Sequence, residues 1–277
     1  MTTNDFLTTV DQILTVPGTA VSESFTKART GITTARKLMY EGEDAQALLN
    51  DAILEGTEDA IRAAIVNLTT SEAWSSNYSS LNEADKATLA SLRVFYRATA
   101  AQNYGAIADA YNAAVDKLTA ATKAVDTNAN AEAIIGANAK AQAAWQTASA
   151  LANEADRLAA ILVDAAHLAG ANLADTSHET PRDRQVSLFA TSDDPKTRRA
   201  LWDLWDEPNH RAGRFGALAA AGYLAHARPL DDAQPYRRAK GWTTEYEQSG
   251  FGHKPIKVDL ETGKRYGIDG VEITTAA

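Results

Sequence analysis

Residues 92–125, LRVFYRATAAQNYGAIADAYNAAVDKLTAATKAV, decide the fold of this chain. Apolar and small residues recur along the segment at steps of three or four that repeat every eleven residues: Leu92, Tyr96, Thr99, Asn103, Ile107, Ala110, Ala114, Leu118, Ala121 and Val125. Because eleven residues fill close to three turns of an α-helix, this stripe stays on one face of a nearly straight helix. Ser80 and Glu83 have the spacing of a capping box, so the helix is predicted to begin at Ser80.

A second stripe begins after residues 126–128, where Asp-Thr-Asn favours a turn because these side chains bond to nearby backbone. With Asn128 as the cap, each of the two helices would have about 45 residues and a length of about 65 Å. We predict a long antiparallel helical hairpin, paired as a coiled coil, with Trp145 held between its helices. A single rod through Asn128 is the alternative that periodicity leaves open. The second stripe comprises Ile134, Asn138, Ala141, Trp145, Ala148, Ala152, Ala155, Leu158, Leu162, Ala165 and Ala169.

Short helices are predicted before this hairpin. Alanine fills about a fifth of the chain, and since it favours helices and is depleted in strands, the composition predicts a mainly α-helical protein. Glycine and proline punctuate the N-terminal region. The helices expected there span residues 5–14, 22–40, 43–54 and 57–68.

Helices and a small sheet are predicted after the hairpin. Asp194 and Pro195 have the pattern of a helix start, with the aspartate as cap and the proline at the first helical position. Residues 229–254 show little periodicity and are predicted to be irregular. Alternation around the turn at 261–264 predicts a small antiparallel hairpin or meander. The expected helices span residues 181–190, 195–207 and 211–228, and the expected strands span 256–260, 265–268 and 271–274.

The charge distribution supports a division of the chain. The net charge is −9, and it divides into about −10 for residues 1–180 and about +1 for residues 181–277. The predicted regions are a short-helix region 1–80, a helical hairpin 81–176, a helical region 177–228, and an aromatic loop with a small sheet, 229–277.

Composition argues against several function classes. The chain has no cysteine, so disulfides, thiolate metal sites and cysteine nucleophiles are excluded. An acidic net charge argues against broad binding to nucleic acid or anionic lipid. No long uncharged apolar run and no basic leader segment occur, so we expect no membrane insertion and a chain that is cytoplasmic when synthesised.

Catalytic and metal-binding patterns are weak. Glu207 and His210 have a metal-ligand spacing but enclose Pro208, and Asp164 and His167 have the spacing of an ordinary helical ion pair. We therefore predict no catalytic residues, metal or cofactor. The alternative is an enzyme or small-ligand protein with a pocket between the hairpin and residues 181–254. That pocket would draw on His167, His210, Arg211, Arg214 or His226.

Aromatic and basic residues gather in the C-terminal region, and we predict that they contact a protein partner, because such side chains dominate protein interfaces. They are Tyr236, Arg237, Arg238, Trp242, Tyr246 and Phe251. The interpretation with fewest assumptions is a non-enzymatic structural protein of a large assembly, a phage or virus particle into which it is incorporated. Its partners would be other subunits, including copies of itself. A protein- or nucleic-acid-binding module is a further alternative.

Overall fold

The computed structural model describes residues 2–40, 58–63, 66, 78–175, 179–249, 252–267 and 269–273. Its helices are α1 (Thr3–Ile13), α2 (Glu23–Tyr40), α3 (Tyr78–Ala124), α4 (Ala131–Ile135), α5 (Ala139–Leu168), α6 (Pro195–Asp206) and α7 (Gly213–Ala221). Two 3-10 helices span Asp183–Leu188 and Leu230–Asp232, and the strands are β1 (Trp242–Ser249), β2 (Gly252–Asp259) and β3 (Arg265–Tyr266). The chain is mainly helical with a three-stranded antiparallel sheet in the order β1-β2-β3, as predicted.

Two compact units make up the chain, Met1–Asn103 and Tyr104–Ala277. Within the first unit, the rings of Phe6, Phe25 and Tyr96 pack with centroids 6.1–6.3 Å apart. Asn103, a polar member of the predicted stripe, is buried and exchanges hydrogen bonds with the backbone of Ala20. The predicted helix over residues 43–54 lies outside the described residues, whereas residues 58–63 are helical as expected.

Helix α3 matches the predicted stripe. Leu92, Ile107 and Leu118 are fully buried, as the eleven-residue repeat predicts. The helix already includes Tyr78, so the predicted start at Ser80 is late by two residues. It ends at Ala124, which makes the alternative of an unbroken rod wrong.

The second long helix is interrupted, which corrects the prediction of one helix capped by Asn128. Asn130 caps α4 by accepting from the N–H of Ala133, and Asn138 caps α5 by accepting from the N–H of Ala141. The two helices are separated by residues 136–138, because glycine weakens a helix there and asparagine competes for backbone hydrogen bonds. The residues that were predicted to continue one helix therefore form a short helix, a break and a 30-residue helix.

The end of α3 lies beside the beginning of α5. The Arg211 guanidinium donates to the backbone oxygens of Thr127 and Trp145, 3.4 and 2.9 Å away. Trp145 is half-buried and not enclosed between the helices as predicted. Its indole N–H donates to the carbonyl of Ala129, and Arg211 lies 3.7 Å from the ring centroid. An arginine from the segment before α7 therefore covers the tryptophan.

Contacts near the C-terminal end of α5 show that α3 and α5 run in opposite directions. The Tyr104 hydroxyl donates to the carbonyl oxygen of Arg228 at 2.7 Å. The backbone N–H of Arg228 in turn donates to the carbonyl oxygen of Leu188 at 2.7 Å. The Ser187 hydroxyl donates to the carbonyl of Leu173, a few residues after α5 ends. The predicted antiparallel arrangement is therefore present within the second unit.

Helix α6 begins as predicted, but α7 is shorter than expected. Asp194 caps α6, and Pro195 is its first residue. The helix expected over residues 211–228 ends at Ala221, because Gly222 adopts a left-handed conformation with φ of 77°. The following residues lie along α3, where the N–H of Ala227 donates to the Asn112 side chain.

The sheet is larger than predicted on its N-terminal side. Strand β1 occupies residues that were expected to be irregular, and it pairs with β2 from Trp242–Asp259 to Ser249–Gly252. The predicted turn at 261–264 is confirmed, with Gly263 at φ of 71°. The prediction of a third strand over residues 271–274 overestimates its length. Among the described residues there, only an isolated bridge between Tyr266 and Glu272 forms. None of the helices described is long and apolar enough to cross a membrane.

Candidate functional site

A buried carboxylate holds the sheet against α6. The Glu261 side chain is 1% exposed and accepts hydrogen bonds from Arg198, Arg237 and the N–H of Lys240 at 2.5, 2.6 and 2.9 Å. Burial opposes ionisation of this carboxyl, but the three donors outweigh that effect and lower its pKa to about 2. Glu261 is therefore ionised and fully bonded at neutral pH.

A second buried carboxylate lies two residues away. Asp259 accepts from Arg199 at 2.5 Å and from the Thr262 hydroxyl at 2.7 Å. Burial again opposes ionisation, but these donors outweigh it and lower the pKa of Asp259. We refer to Arg198, Arg199, Asp259 and Glu261 as the buried ion-pair network, and it joins α6 to the end of β2.

Three predicted partner residues are engaged within the chain. Tyr236 is buried, stacks on Trp202 with ring centroids 6.4 Å apart, and donates its hydroxyl to a backbone carbonyl. Arg237 binds Glu261, and Arg238 binds Asp206 at 2.6 Å while its guanidinium lies over the Trp202 ring. These residues stabilise the loop before β1, and the side chains of Arg237 and Arg238 stay 42% and 41% exposed.

Trp242 and Tyr246, two other predicted partner residues, are exposed on one face of β1. Trp242 is 49% exposed although its ring contacts Tyr266 and the Arg199 guanidinium, and Tyr246 is 69% exposed. Phe251 lies outside the described residues. Side chains on both faces of β1 are exposed, including those of Thr244 and Glu245.

Strand β1 presents a row of backbone groups at the edge of the sheet. The N–H of Leu260 donates to the carbonyl of Gly241, which identifies these two residues as a hydrogen-bonded pair. Because such pairs alternate along an antiparallel ladder, odd-numbered residues of β1 bond to β2 and even-numbered residues face outward. The outward N–H and C=O groups, which we call the free edge, belong to Trp242, Thr244, Tyr246 and Gln248. No hydrogen bond within the described ranges occupies this row.

The other edge of the sheet is covered by chain. The N–H of Ile273 donates to the carbonyl of Arg265, and the N–H of Gly267 donates to Val271. Strand β1, by contrast, contains no proline, lysine or bulge, three features that commonly protect exposed edges, and its only charged residues are Glu245 and Glu247. An eight-residue strand with such an edge can accept a further strand from another chain.

Of the residues of the alternative enzyme pocket, His210, Arg211 and Arg214 lie in one short segment, and each of the five residues has its own surroundings within the chain. His210 accepts from the N–H of Ala212 and faces Thr127, and burial lowers its pKa. His226 pairs with Asp116 on α3, while His167 lines a cavity of about 20 Å³, room for one water. Arg211 covers Trp145, and Arg214 donates to a backbone carbonyl. No group of three metal-ligating side chains occurs in the part of the chain that is described.

One open groove lies between α5 and residues 181–185. It has a volume of about 570 Å³ and is lined by Asn153, Asp156, Arg157, Ala160, Val163, Asp164, Pro181, Arg182 and Gln185. Arg182 and Asp156 bind each other across it at 3.2 Å, and the buried Gln185 has an amide oxygen with no described partner. None of the five histidine and arginine residues of the alternative enzyme pocket lines this groove.

The strand that carries the free edge was not predicted from the sequence, which was expected to be irregular over residues 229–254. Trp242, Thr244 and Tyr246 alternate with Thr243 and Glu245, and aromatic and β-branched residues favour strands. That alternation was the available signal, but it is weak because both faces of β1 are exposed. No family model, curated protein or solved structure matches this chain.

Proposed function

We propose that this chain is a non-enzymatic structural subunit of a large protein assembly and that it docks on a neighbouring subunit by adding the neighbour's strand to β1. The observation that carries the proposal is the free edge, whose outward N–H and C=O groups match the pattern that an incoming strand requires. Exposed aromatic side chains beside that edge, Trp242 and Tyr246, add contact area.

The buried ion-pair network supports this role by fixing the position of the sheet. Buried ion pairs add little net stability compared with apolar packing, because desolvation offsets most of their attraction. Their geometry is directional, however, and the arginines of α6 meet both Asp259 and Glu261. A docking strand held in this way keeps one orientation relative to α6.

The long alanine-rich helices support membership of an assembly. Several buried positions of α5 are alanine, including Ala148, Ala152 and Ala155, and alanine buries little apolar surface per residue. A chain with such helices gains stability when neighbouring subunits cover more of its surface. A phage or virus particle is the class of assembly that we propose.

The proposal is tested by blocking the free edge with Thr244→Pro. The Thr244 N–H faces outward, so proline there removes an edge donor and leaves the β1–β2 hydrogen bonds in place. In extracts of the cells that make the protein, the wild-type chain and the Thr244→Ala control are expected in a large particle. The Thr244→Pro variant is expected at the monomer mass, with unchanged circular dichroism. If the proline variant also sediments with the particle, docking through this edge is wrong.

A further inference from the structure

The two faces of β1 differ in charge. The uncharged residues Trp242, Thr244 and Tyr246 alternate along one face, and Glu245 and Glu247 lie on the other. Both glutamate side chains are about half exposed. A strand that adds to the free edge would place alternate side chains beside each of these two rows.

The sheet already shows how the glutamate row is neutralised from one side. Arg265 of β3 lies 3.7 Å from Glu245 and 3.5 Å from Glu247, on the same face of the sheet. No described cation faces the two carboxylates from the free-edge side. A lysine or arginine on an added strand would therefore complete a row of alternating charge across the sheet.

A second copy of β1 fits this edge poorly. In an antiparallel pair, outward-facing residues must lie opposite outward-facing residues, so even-numbered positions meet even ones and odd meet odd. The registers with greatest overlap place Glu245 opposite Glu245 or opposite Glu247 of the second copy. Like charges directly opposite each other destabilise a strand pair, so the edge resists self-association.

The uncharged face indicates what lies between the basic residues of the partner. Tyr246 is largely exposed and has Pro255 as its neighbour on β2. β-Branched and aromatic residues form favourable cross-strand pairs with tyrosine, and they also favour extended backbone. Such a residue on the partner would cover Tyr246 from the free-edge side.

We infer that the strand that adds to β1 comes from a different protein and carries lysine or arginine at alternate positions, with uncharged β-branched or aromatic residues between them. This inference rests on the proposed function and identifies the partner of that same edge. The charge of Glu245 and Glu247 selects the partner, and the backbone groups of the free edge bind it.

Peptide binding to the purified full-length chain tests the inference. Three fluorescein-labelled eight-residue peptides with blocked ends serve as probes: alternating lysine and valine, alternating glutamate and valine, and four lysines followed by four valines. Fluorescence anisotropy measures their affinity for the wild type, for Thr244→Pro and for the double variant Glu245→Lys with Glu247→Lys. The block peptide controls for attraction to the acidic chain as a whole.

The alternating lysine peptide is expected to bind the wild type about tenfold more tightly than the glutamate peptide, because two attractive pairs replace two repulsive ones. It should also bind more tightly than the block peptide, which places lysine and not valine beside Tyr246 when its lysines face the two glutamates. The double variant should prefer the glutamate peptide, and Thr244→Pro should lose at least about tenfold in affinity for the lysine peptide. Equal binding of all three peptides, binding unaffected by the proline, or no binding would each show that the inferred partner chemistry is wrong.

Two further measurements separate this inference from the proposed function. If the double lysine variant enters the large particle normally while Thr244→Pro does not, docking through the free edge is supported. The inferred preference for a partner strand with lysine or arginine at alternate positions is then wrong. If Thr244→Pro enters the particle, the proposed docking through the free edge is itself wrong, whichever peptide binds best. A wild-type dimer in sedimentation velocity that Thr244→Pro abolishes would identify a second copy as the occupant and overturn the inference.

Discussion

Glu261 and Asp259 lie two residues apart at the end of β2, and each binds an arginine of α6. Nothing local in the sequence distinguishes Glu261 from an ordinary turn residue, since the cations it binds lie 63 and 24 positions away. Trp242 and Tyr246 were predicted as partner residues from their chemistry alone. Glu261, which binds the backbone N–H of Lys240 just before β1, could not be predicted in that way.

Replacing Glu261 with glutamine should destabilise the chain by about 3 kcal/mol, because the buried Arg198 guanidinium would lose the closer of its two ionised partners and keep only Asp193 at 3.4 Å. Urea unfolding at neutral pH measures this loss. Glu247→Gln is the matched control, because its half-exposed carboxylate makes only a long contact to Arg265, and it should change stability by less than about 1 kcal/mol.

The effect of Glu261→Gln should depend on pH in a defined direction. The folded-state pKa of Glu261 lies below its ordinary value of 4.5, so its stabilisation is complete above pH 4.5 and is lost as pH falls towards about 2. The difference in unfolding free energy between wild type and variant should shrink across this range. A difference that stayed constant with pH would show that the carboxylate charge is not what stabilises the network.

At the scale of secondary-structure elements, α3 and α7 place glycine in different surroundings. Gly105 lies in the interior of α3, and a methyl group added there would meet no described atom within 4 Å. Gly216 lies in α7, where a methyl group would lie 2.5 Å from the Ala212 side chain and 2.6 Å from the His210 ring. The same substitution should therefore have opposite effects in the two helices.

Gly105→Ala is expected to stabilise the chain by about 0.5–1 kcal/mol, since alanine restricts the unfolded chain and favours helix. Gly216→Ala should destabilise it by about 1–3 kcal/mol, because His210 must move to make room. Thermal unfolding followed by circular dichroism compares the two variants. A shift of both melting temperatures in the same direction would contradict the packing of His210 against α7.

At the scale of the whole molecule, contacts between residues far apart in sequence hold the elements of the second unit together. Tyr104 and Arg228 are 124 positions apart and share a hydrogen bond. Arg199 and Asp259 are separated by 60 positions and bind within the buried ion-pair network. Such contacts form only when the helices and the sheet are both folded.

Deleting residues 240–277 removes both buried carboxylates and leaves Arg198 and Arg199 without them. The shortened chain should keep most of its helical circular dichroism, because α3 and α5 lie outside the deletion. It should unfold at a lower urea concentration than full-length Thr244→Pro, which retains the network. Equal midpoints for the two proteins would show that the sheet contributes docking surface but no stability.

The amino-acid sequence by itself determined the elements whose signals are local. The eleven-residue repeat predicted α3, and Asp194 with Pro195 predicted the start of α6, because helix periodicity and capping involve residues a few positions apart. Which asparagine caps α5, where α7 stops and whether residues 242–249 form a strand were decided by the tertiary structure. Strand β1 exists because β2 supplies its hydrogen bonds and because α6 holds the end of β2 through Asp259. These partners come together only in the folded chain, so the weak alternation of residues 242–246 could not by itself show that β1 forms or which of its edges is free.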